Sequence, residues 1–140
     1  MDSYNNALLQ YFIYCTQNER TGSEIKEIIA CADHANHAIM TYAEFKNGIK
    51  YLLEKDLINI IDKKIFIKDL FKEWYVNEFA DKKRIYIFKI IEKIKKFLIT
   101  VDNTKEVIEL NITKEDFQNG INEYKKEIKA VFSNINKIKK

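Results

Sequence analysis

Residues 32–58, ADHANHAIMTYAEFKNGIKYLLEKDLI, contain the signals that decide the fold. They read as the end of one helix, a short polar turn, a second helix and then strand-like residues. Thr41 opens the pattern T-Y-A-E, in which the first and fourth residues each bond the other's backbone amide at a helix start. Phe45, Ile49 and Leu52 follow at helical spacing and mark the buried side. The stretch therefore predicts two helices joined by a tight turn.

Two amphipathic segments account for the residues before that turn. The first predicts a helix over residues 3–18. The second predicts a helix that starts at Ser23, a favourable N-cap residue, and ends within residues 33–37. Their apolar side chains recur at helical spacing in two groups, Leu8, Leu9, Phe12 and Cys15, then Ile25, Ile28, Ile29 and Ala32. Three helices are therefore expected before residue 57.

A β-hairpin is expected after the third helix. Residues 57–61 and 64–67 are short runs rich in β-branched side chains, and Asp62 and Lys63 separate them. Such runs joined by a short polar turn predict two antiparallel strands. Three helices followed by a hairpin is the element order of a winged helix, with residues 57–67 as the wing.

The chain divides by pattern into two regions, residues 1–68 and residues 69–140. The second region is mainly helical and is a possible dimerisation region. Within it, residues 107–110 predict a short strand, and T-K-E-D from Thr113 predicts the start of a final helix. The predicted fold class is thus mainly α, within α+β: a winged helix-turn-helix with a two-stranded wing, followed by a helical C-terminal region.

One helix of the second region carries a long apolar seam. Ile87, Ile91, Ile94 and Leu98 are spaced four, three and four residues apart, as in a helix that packs lengthwise on another helix. The seam is either a dimer interface or the contact of this helix with its own domain. The pattern also leaves open whether residues 70–100 form one helix or two.

At this point the sequence resembles a known superfamily. The run EIKEIIACADHANHAIMTYAEFKNGIKYLLEKDLINIIDKKIFI is similar to the core of winged helix-turn-helix DNA-binding regulators of bacteria. The matching elements are I-x-x-I-I, a short turn, T-x-x-E-F-x-x-G-I-x-x-L at the recognition helix, and L-I in the first wing strand. The motif A-D-x-x-N-H-A-I-x-T, followed after two residues by Glu44, resembles a group of uncharacterised bacterial winged-helix proteins with a helical C-terminal region. The resemblance covers about residues 4–68.

The resemblance implies binding of double-stranded DNA as a dimer, and hence a transcriptional regulator. The recognition helix over residues 42–55 would enter the major groove, and the wing over residues 57–67 would contact the backbone. The side chains expected to contact DNA are Ala43, Lys46, Asn47 and Lys50 on the helix and Lys63 and Lys64 in the wing. Asn47 would read adenine with two hydrogen bonds, and Lys46 and Lys50 would contact phosphates or guanine. The two wing lysines would contact phosphate.

The charge distribution keeps a second function open. Residues 1–67 carry seven Lys and Arg against nine Asp and Glu, a net charge of −2, whereas residues 68–140 carry seventeen against twelve, a net charge of +5. A protein that binds duplex DNA typically has a basic face, because much of its affinity comes from phosphate contacts. A protein-interaction module on a winged-helix scaffold, without nucleic-acid binding, is therefore the alternative.

Enzymatic activity, metals and cofactors are not expected. The chain has only three glycines and contains no phosphate-binding loop, nucleophile elbow or H-E-x-x-H pattern. Asp33, His34 and His37 form a cluster without a further strong metal ligand nearby. Cys15 and Cys31 lack metal-site spacing and are expected to be buried free thiols.

A cytoplasmic location is expected. The chain is 46% hydrophobic and 32% charged, which is typical of soluble globular proteins. Its apolar run over residues 7–15 is interrupted by Gln10 and has no positive charge before it, so it matches neither a signal peptide nor a membrane span.

Overall fold

Six helices and one β-hairpin form the described part of the chain. The computed structural model describes residues 3–36, 38–80 and 84–138, and of residues 36 and 136–138 it describes only the backbone. In chain order the elements are α1 (Ser3–Thr16), α2 (Ile25–Asn36), α3 (Tyr42–Glu54), β1 (Ile58–Ile61), β2 (Lys64–Ile67), α4 (Asp69–Phe79), α5 (Ile87–Thr100) and α6 (Lys114–Ile138). The predicted mainly helical α+β class is confirmed, and residues 70–100 contain two helices.

The first three helices pack around fully buried apolar side chains. Ile13 on α1, Ile28 on α2 and Ile49 on α3 all belong to this core. Gly48 lets α1 and α3 approach closely, because a Cβ atom at that position would lie 2.5 Å from Cδ2 of Leu9. The approach holds α3 by one face against α1 and turns its other face outward.

The hairpin forms as the sequence predicts. β1 and β2 are antiparallel, with Ile58 opposite Ile67. The turn residues Asp62 and Lys63 have φ angles of 50° and 64°. Positive φ at both central residues is the conformation of a two-residue hairpin turn whose twist matches the flanking strands. The tight turn therefore places Asp62 and Lys63 at the tip of the hairpin.

Ser23, between α1 and α2, extends the hairpin. Its backbone N–H donates to the Ile65 carbonyl at 2.7 Å, and the Ile65 N–H donates to the Ser23 carbonyl at 3.0 Å, which makes an antiparallel bridge. The prediction that Ser23 caps α2 is wrong, because its hydroxyl donates to the Ile13 carbonyl at 2.9 Å instead. Instead, the backbone N–H of Glu24 donates to the Glu27 carboxylate at 3.1 Å at the N-terminal end of α2.

The α5 seam packs inside the chain. Ile91, Ile94 and Leu98 are 0%, 0% and 1% exposed and share one core with α1 and α3, whereas Ile87 at the end of the seam is 46% exposed. The structure therefore shows that α5 packs against its own domain through this seam. The dimer interface predicted at these four residues is therefore corrected, because three of them have no surface to present to a second copy.

The segment between α5 and α6 runs along α3. At one end, the N–H groups of Thr104 and Lys105 donate to the Glu54 carbonyl at 2.8 and 3.1 Å. At the other, the Tyr42 hydroxyl donates to the Ile112 carbonyl at 3.3 Å. The strand predicted over residues 107–110 does not form, since the sheet in the described residues contains only β1 and β2 and offers this segment no partner.

Gln10 is buried on α1 with an unpaired side-chain amide. It is 0% exposed, and neither its Oε1 nor its Nε2 has a hydrogen-bond partner among the described residues. An unsatisfied buried polar group costs about 1–3 kcal/mol. Replacement by methionine (Gln10→Met), which has a similar size, should therefore raise the free energy of unfolding in urea by about that amount.

The matched control for this prediction is Gln118→Met on α6, where the glutamine is exposed. The control should change the free energy of unfolding by less than about 0.5 kcal/mol. A Gln10→Met protein that is less stable than the wild type would contradict the prediction.

Candidate nucleic-acid interface

The start of α3 fixes which of its residues face outward. The Glu44 N–H donates to the Thr41 hydroxyl oxygen at 3.1 Å, and the Thr41 N–H donates to the Glu44 carboxylate at 3.1 Å. The predicted capping box is thus confirmed. It begins the helix at Tyr42, and this register directs Phe45 and Ile49 into the core.

The opposite face of α3 carries the residues predicted to contact DNA. Ala43, Lys46, Asn47 and Lys50 are all exposed on one side of the helix. Lys50 Nζ lies 4.0 Å from Oε1 of Glu54, a surface pair of the kind that contributes little energy and leaves the ammonium accessible. The structure therefore brings together two ammonium groups and one amide that can donate and accept hydrogen bonds.

The two predicted wing lysines have different surroundings. Lys63 is at the turn of the hairpin, with 61% of its side chain exposed, and its Nζ lies 2.7 Å from Oδ1 of Asp116 on α6. Lys64 is partly buried at the start of β2. Lys63 therefore already has an anionic partner within the chain.

Asp116 is held in position by more than this lysine. Its Oδ2 accepts from the Thr113 N–H at 2.9 Å, and its own N–H donates to the Thr113 hydroxyl at 3.1 Å, a second capping box. The hydrogen bond from Lys63, followed by the bond from the Thr113 backbone, holds the pKa of the Asp116 carboxyl below its usual range. Asp116 thus remains charged near neutral pH beside the tip of the wing.

Sequence reasoning missed the second role of Asp116. The pattern T-K-E-D indicated a helix start, and that part is confirmed. The bond to Lys63 joins residues 53 positions apart in the chain, so no local pattern could indicate it.

Carboxylates lie at the C-terminal end of α3 and on the segment that runs along it. Asp56 accepts from Lys105 at 2.8 Å and from Lys68 at 2.7 Å, and these two hydrogen bonds lower the pKa of its carboxyl group. Asp102, Glu106 and Glu109 are exposed on the neighbouring segment. The surroundings of the α3 lysines are therefore of mixed charge.

Asp33, His34 and His37 form the cluster that the sequence analysis considered as a metal site. Asp33 accepts a hydrogen bond from the Tyr124 hydroxyl at 2.6 Å, and this bond, with burial, raises the pKa of Tyr124 to about 12. His37 lies outside the described residues. Among the residues that the structure describes, no group of three or more His, Cys, Asp or Glu side chains could hold a metal ion.

The cysteines differ from the prediction that both are buried. Both are free thiols, but Cys15 is exposed and Cys31 is half-buried. Cys15 lies at the outer edge of α1, so its helical spacing with Leu8 and Phe12 did not imply burial. Although the residue is exposed overall, its sulfur is partly shielded, and this shielding raises the pKa of the Cys15 thiol. A raised pKa leaves less thiolate, the form that acts as a nucleophile.

Among the described residues, none of the helices combines the length and the apolar character that crossing a bilayer requires. The chain, in which α3 follows α2 and a hairpin follows α3, was also compared with known proteins. No family model, curated protein or solved structure matches the chain.

Proposed function

We propose that this protein is a winged helix-turn-helix protein that binds double-stranded DNA and acts as a bacterial transcriptional regulator. The order of α1, α2, α3 and the hairpin supports the winged-helix assignment. So does the Ser23–Ile65 bridge, because it adds a third strand position and holds the hairpin beside the helix pair. Such a regulator acts in the cytoplasm, and its role is binding rather than catalysis.

One observation carries the proposal: Lys46, Asn47 and Lys50 are exposed together on α3, the helix that precedes the hairpin. The major groove admits a helix, and an asparagine amide can make two hydrogen bonds to adenine there. Lysine ammonium groups beside it can bind the flanking phosphates or guanine. Lys64 supplies a backbone contact from the hairpin, and Lys63 supplies another when it is released from Asp116.

Selection from a pool of random duplex DNA tests the proposal. The purified protein is incubated with the pool at low salt, and the bound duplexes are amplified and sequenced over several rounds. The proposal predicts enrichment of one motif that the wild-type protein protects in a footprint. A pool that stays random, with no retained DNA at low salt, would reject it.

The ion pair between Lys63 and Asp116 leads to a prediction about affinity. Asp116→Asn removes the charge that competes with DNA phosphate but keeps an oxygen that can accept from the Thr113 N–H. One additional phosphate contact should then steepen the slope of log K against log salt by about 0.9 and raise affinity several-fold at ~0.1 M salt. Fluorescence anisotropy across a salt series measures both quantities.

The control for this prediction is the same change in a chain without the wing lysine. Lys63→Met with Asp116→Asn should bind no more tightly than Lys63→Met alone, because the released ammonium is absent. If Asp116→Asn raises affinity equally in both backgrounds, the effect is general charge and the ion pair has no specific role.

A second candidate function is protein binding without nucleic acid. It is favoured by the carboxylates of Asp102, Glu106 and Glu109 beside α3 and by the neutralised wing lysine. These groups would repel a DNA backbone that approached from that side. In this case the selection returns no motif, and the exposed α3 face instead cross-links to a protein partner.

A further inference from the structure

The outer side of α5 carries large apolar side chains that stay exposed. Phe88, Glu92, Lys95 and Ile99 repeat the spacing of the α5 seam one residue further along the chain. At 3.6 residues per turn they form a second stripe, the α5 stripe, about 100° around the helix from the seam. On this stripe Phe88 and Ile99 are 55% and 67% exposed, and Tyr86, which directly precedes the helix, is 75% exposed.

The charged groups on this side of α5 are mainly basic. Four basic side chains lie along the helix or just before it, namely Arg84, Lys89, Lys95 and Lys96. Among the described residues, none of the four forms a salt bridge. Lys93 pairs with Glu78 of α4 at 2.7 Å, and the only carboxylate within α5 is that of Glu92. The surface therefore has four unpaired positive charges against one negative charge.

Unpaired basic groups among exposed apolar side chains match an anionic lipid bilayer. Helices that lie in the interface of a bilayer place aromatic and aliphatic side chains at the boundary of headgroups and acyl chains, and their Lys and Arg side chains meet anionic headgroups. Phe88 and Ile99 lie about 16 Å apart along the helix axis, so a single partner has to extend past both. A lipid surface does this and also takes both side chains out of water.

A nucleic acid matches the same charges but not the same apolar groups. Its phosphates attract lysines, and its bases stack on aromatic rings such as that of Phe88. Ile99 has no ring for a base to stack on, although it is the more exposed of the two apolar side chains on the stripe. The combination of aliphatic, aromatic and basic groups therefore favours lipid.

We propose that the outer side of α5 docks on an anionic lipid surface. Phe88 and Ile99 enter the boundary of headgroups and acyl chains, and Lys89 and Lys96 contact headgroup phosphates. The α5 seam stays in the core, so the helix lies on the surface without unfolding. This inference goes beyond the proposed DNA binding and does not depend on it, since the residues of α3 that are proposed to contact DNA take no part.

Co-sedimentation of the full chain with vesicles tests the role of charge. At ~0.1 M salt the wild type should bind vesicles of equal parts phosphatidylserine and phosphatidylcholine, and far more weakly vesicles of phosphatidylcholine alone. Lys89→Glu with Lys96→Glu should weaken binding by about 25-fold, because each basic side chain near an anionic bilayer contributes roughly fivefold. Lys46→Glu with Lys50→Glu makes the same change of charge on α3 and should retain most of the binding. The two variants should thus behave in opposite ways toward vesicles and duplex DNA.

A second pair of variants tests the role of the apolar side chains. Phe88→Ser with Ile99→Ser should weaken binding to the anionic vesicles by about tenfold, because less apolar surface leaves water. Val131→Ser with Phe132→Ser is the matched control, since it removes an exposed aliphatic and an exposed aromatic side chain from α6. The control should bind as the wild type does, and circular dichroism checks that each variant is folded.

The outcomes separate lipid docking from the alternatives. A wild type that does not bind the anionic vesicles overturns the proposal. If the lysine variant on α5 loses binding but the serine variant on α5 keeps it, the surface attracts polyanions in general, nucleic acids included, and lipid insertion is rejected. Equal losses in the α3 and α5 lysine variants would assign vesicle binding to total charge and would also reject docking through α5.

Discussion

Reversing the charge of Lys46 and Lys50 together (Lys46→Glu, Lys50→Glu) should lower affinity for duplex DNA by roughly 100-fold at ~0.1 M salt. Each lysine that neutralises a phosphate contributes close to one unit of salt slope, or nearly tenfold in affinity at this salt concentration. Two lost contacts give a little under 100-fold, and the new carboxylates add repulsion. Both side chains are exposed, so the fold should be unaffected.

The control for this experiment is an equal change of net charge elsewhere. Lys89→Glu with Lys96→Glu alters two exposed lysines of α5, away from the α3 face. This variant should retain most of the affinity, because only long-range attraction is reduced. Equal losses in the two variants would show that total charge, and not the α3 face, governs binding.

The largest expected effect on stability is that of Leu52→Ala on α3. Leu52 is 0% exposed, and truncating a buried leucine to alanine costs about 2–5 kcal/mol. The core that contains Leu52 also contains Ile91, Ile94 and Phe71 from beyond residue 68. We therefore expect residues on both sides of residue 68 to unfold in one transition.

The single tryptophan of the chain makes this measurable. Trp74 on α4 stacks on Phe97 of α5 with ring centroids 4.5 Å apart, so its fluorescence reports the second region, whereas far-ultraviolet circular dichroism reports all helices. Leu52→Ala should lower both urea midpoints equally. Leu70→Ala, at a residue that is 52% exposed, should leave them nearly unchanged. A fluorescence midpoint that does not move would contradict the single unit and support two independently folding regions.

Features that depend on neighbouring residues could be predicted from the sequence. The capping box at Thr41 needs only two residues three positions apart, Thr41 and Glu44, and it placed the start of α3 correctly. The hairpin turn at Asp62 and Lys63 is equally local. Because the helical register follows from the start of α3, the outward position of Lys46, Asn47 and Lys50 could also be predicted.

Features that depend on residues distant in the chain could not be predicted from the sequence. Ser23 has the composition of an N-cap, but tertiary bonds to Ile65 and Ile13 take its backbone and hydroxyl groups. The spacing of the α5 seam predicted an apolar face, but it could not indicate that this face packs against α1. The bond between Lys63 and Asp116 joins the wing to α6 and changes the charge available at the candidate site.

The most direct test of DNA binding by α3 and the wing is the salt dependence of wild-type binding to the selected duplex, followed by anisotropy. Lys46, Lys50 and Lys64 together predict a slope of log K against log salt of about −3 for each protomer, with tighter binding of the selected sequence than of a shuffled one. Failure to bind either duplex at about 50 mM salt would contradict the account and leave α3 and the hairpin as a protein-docking surface.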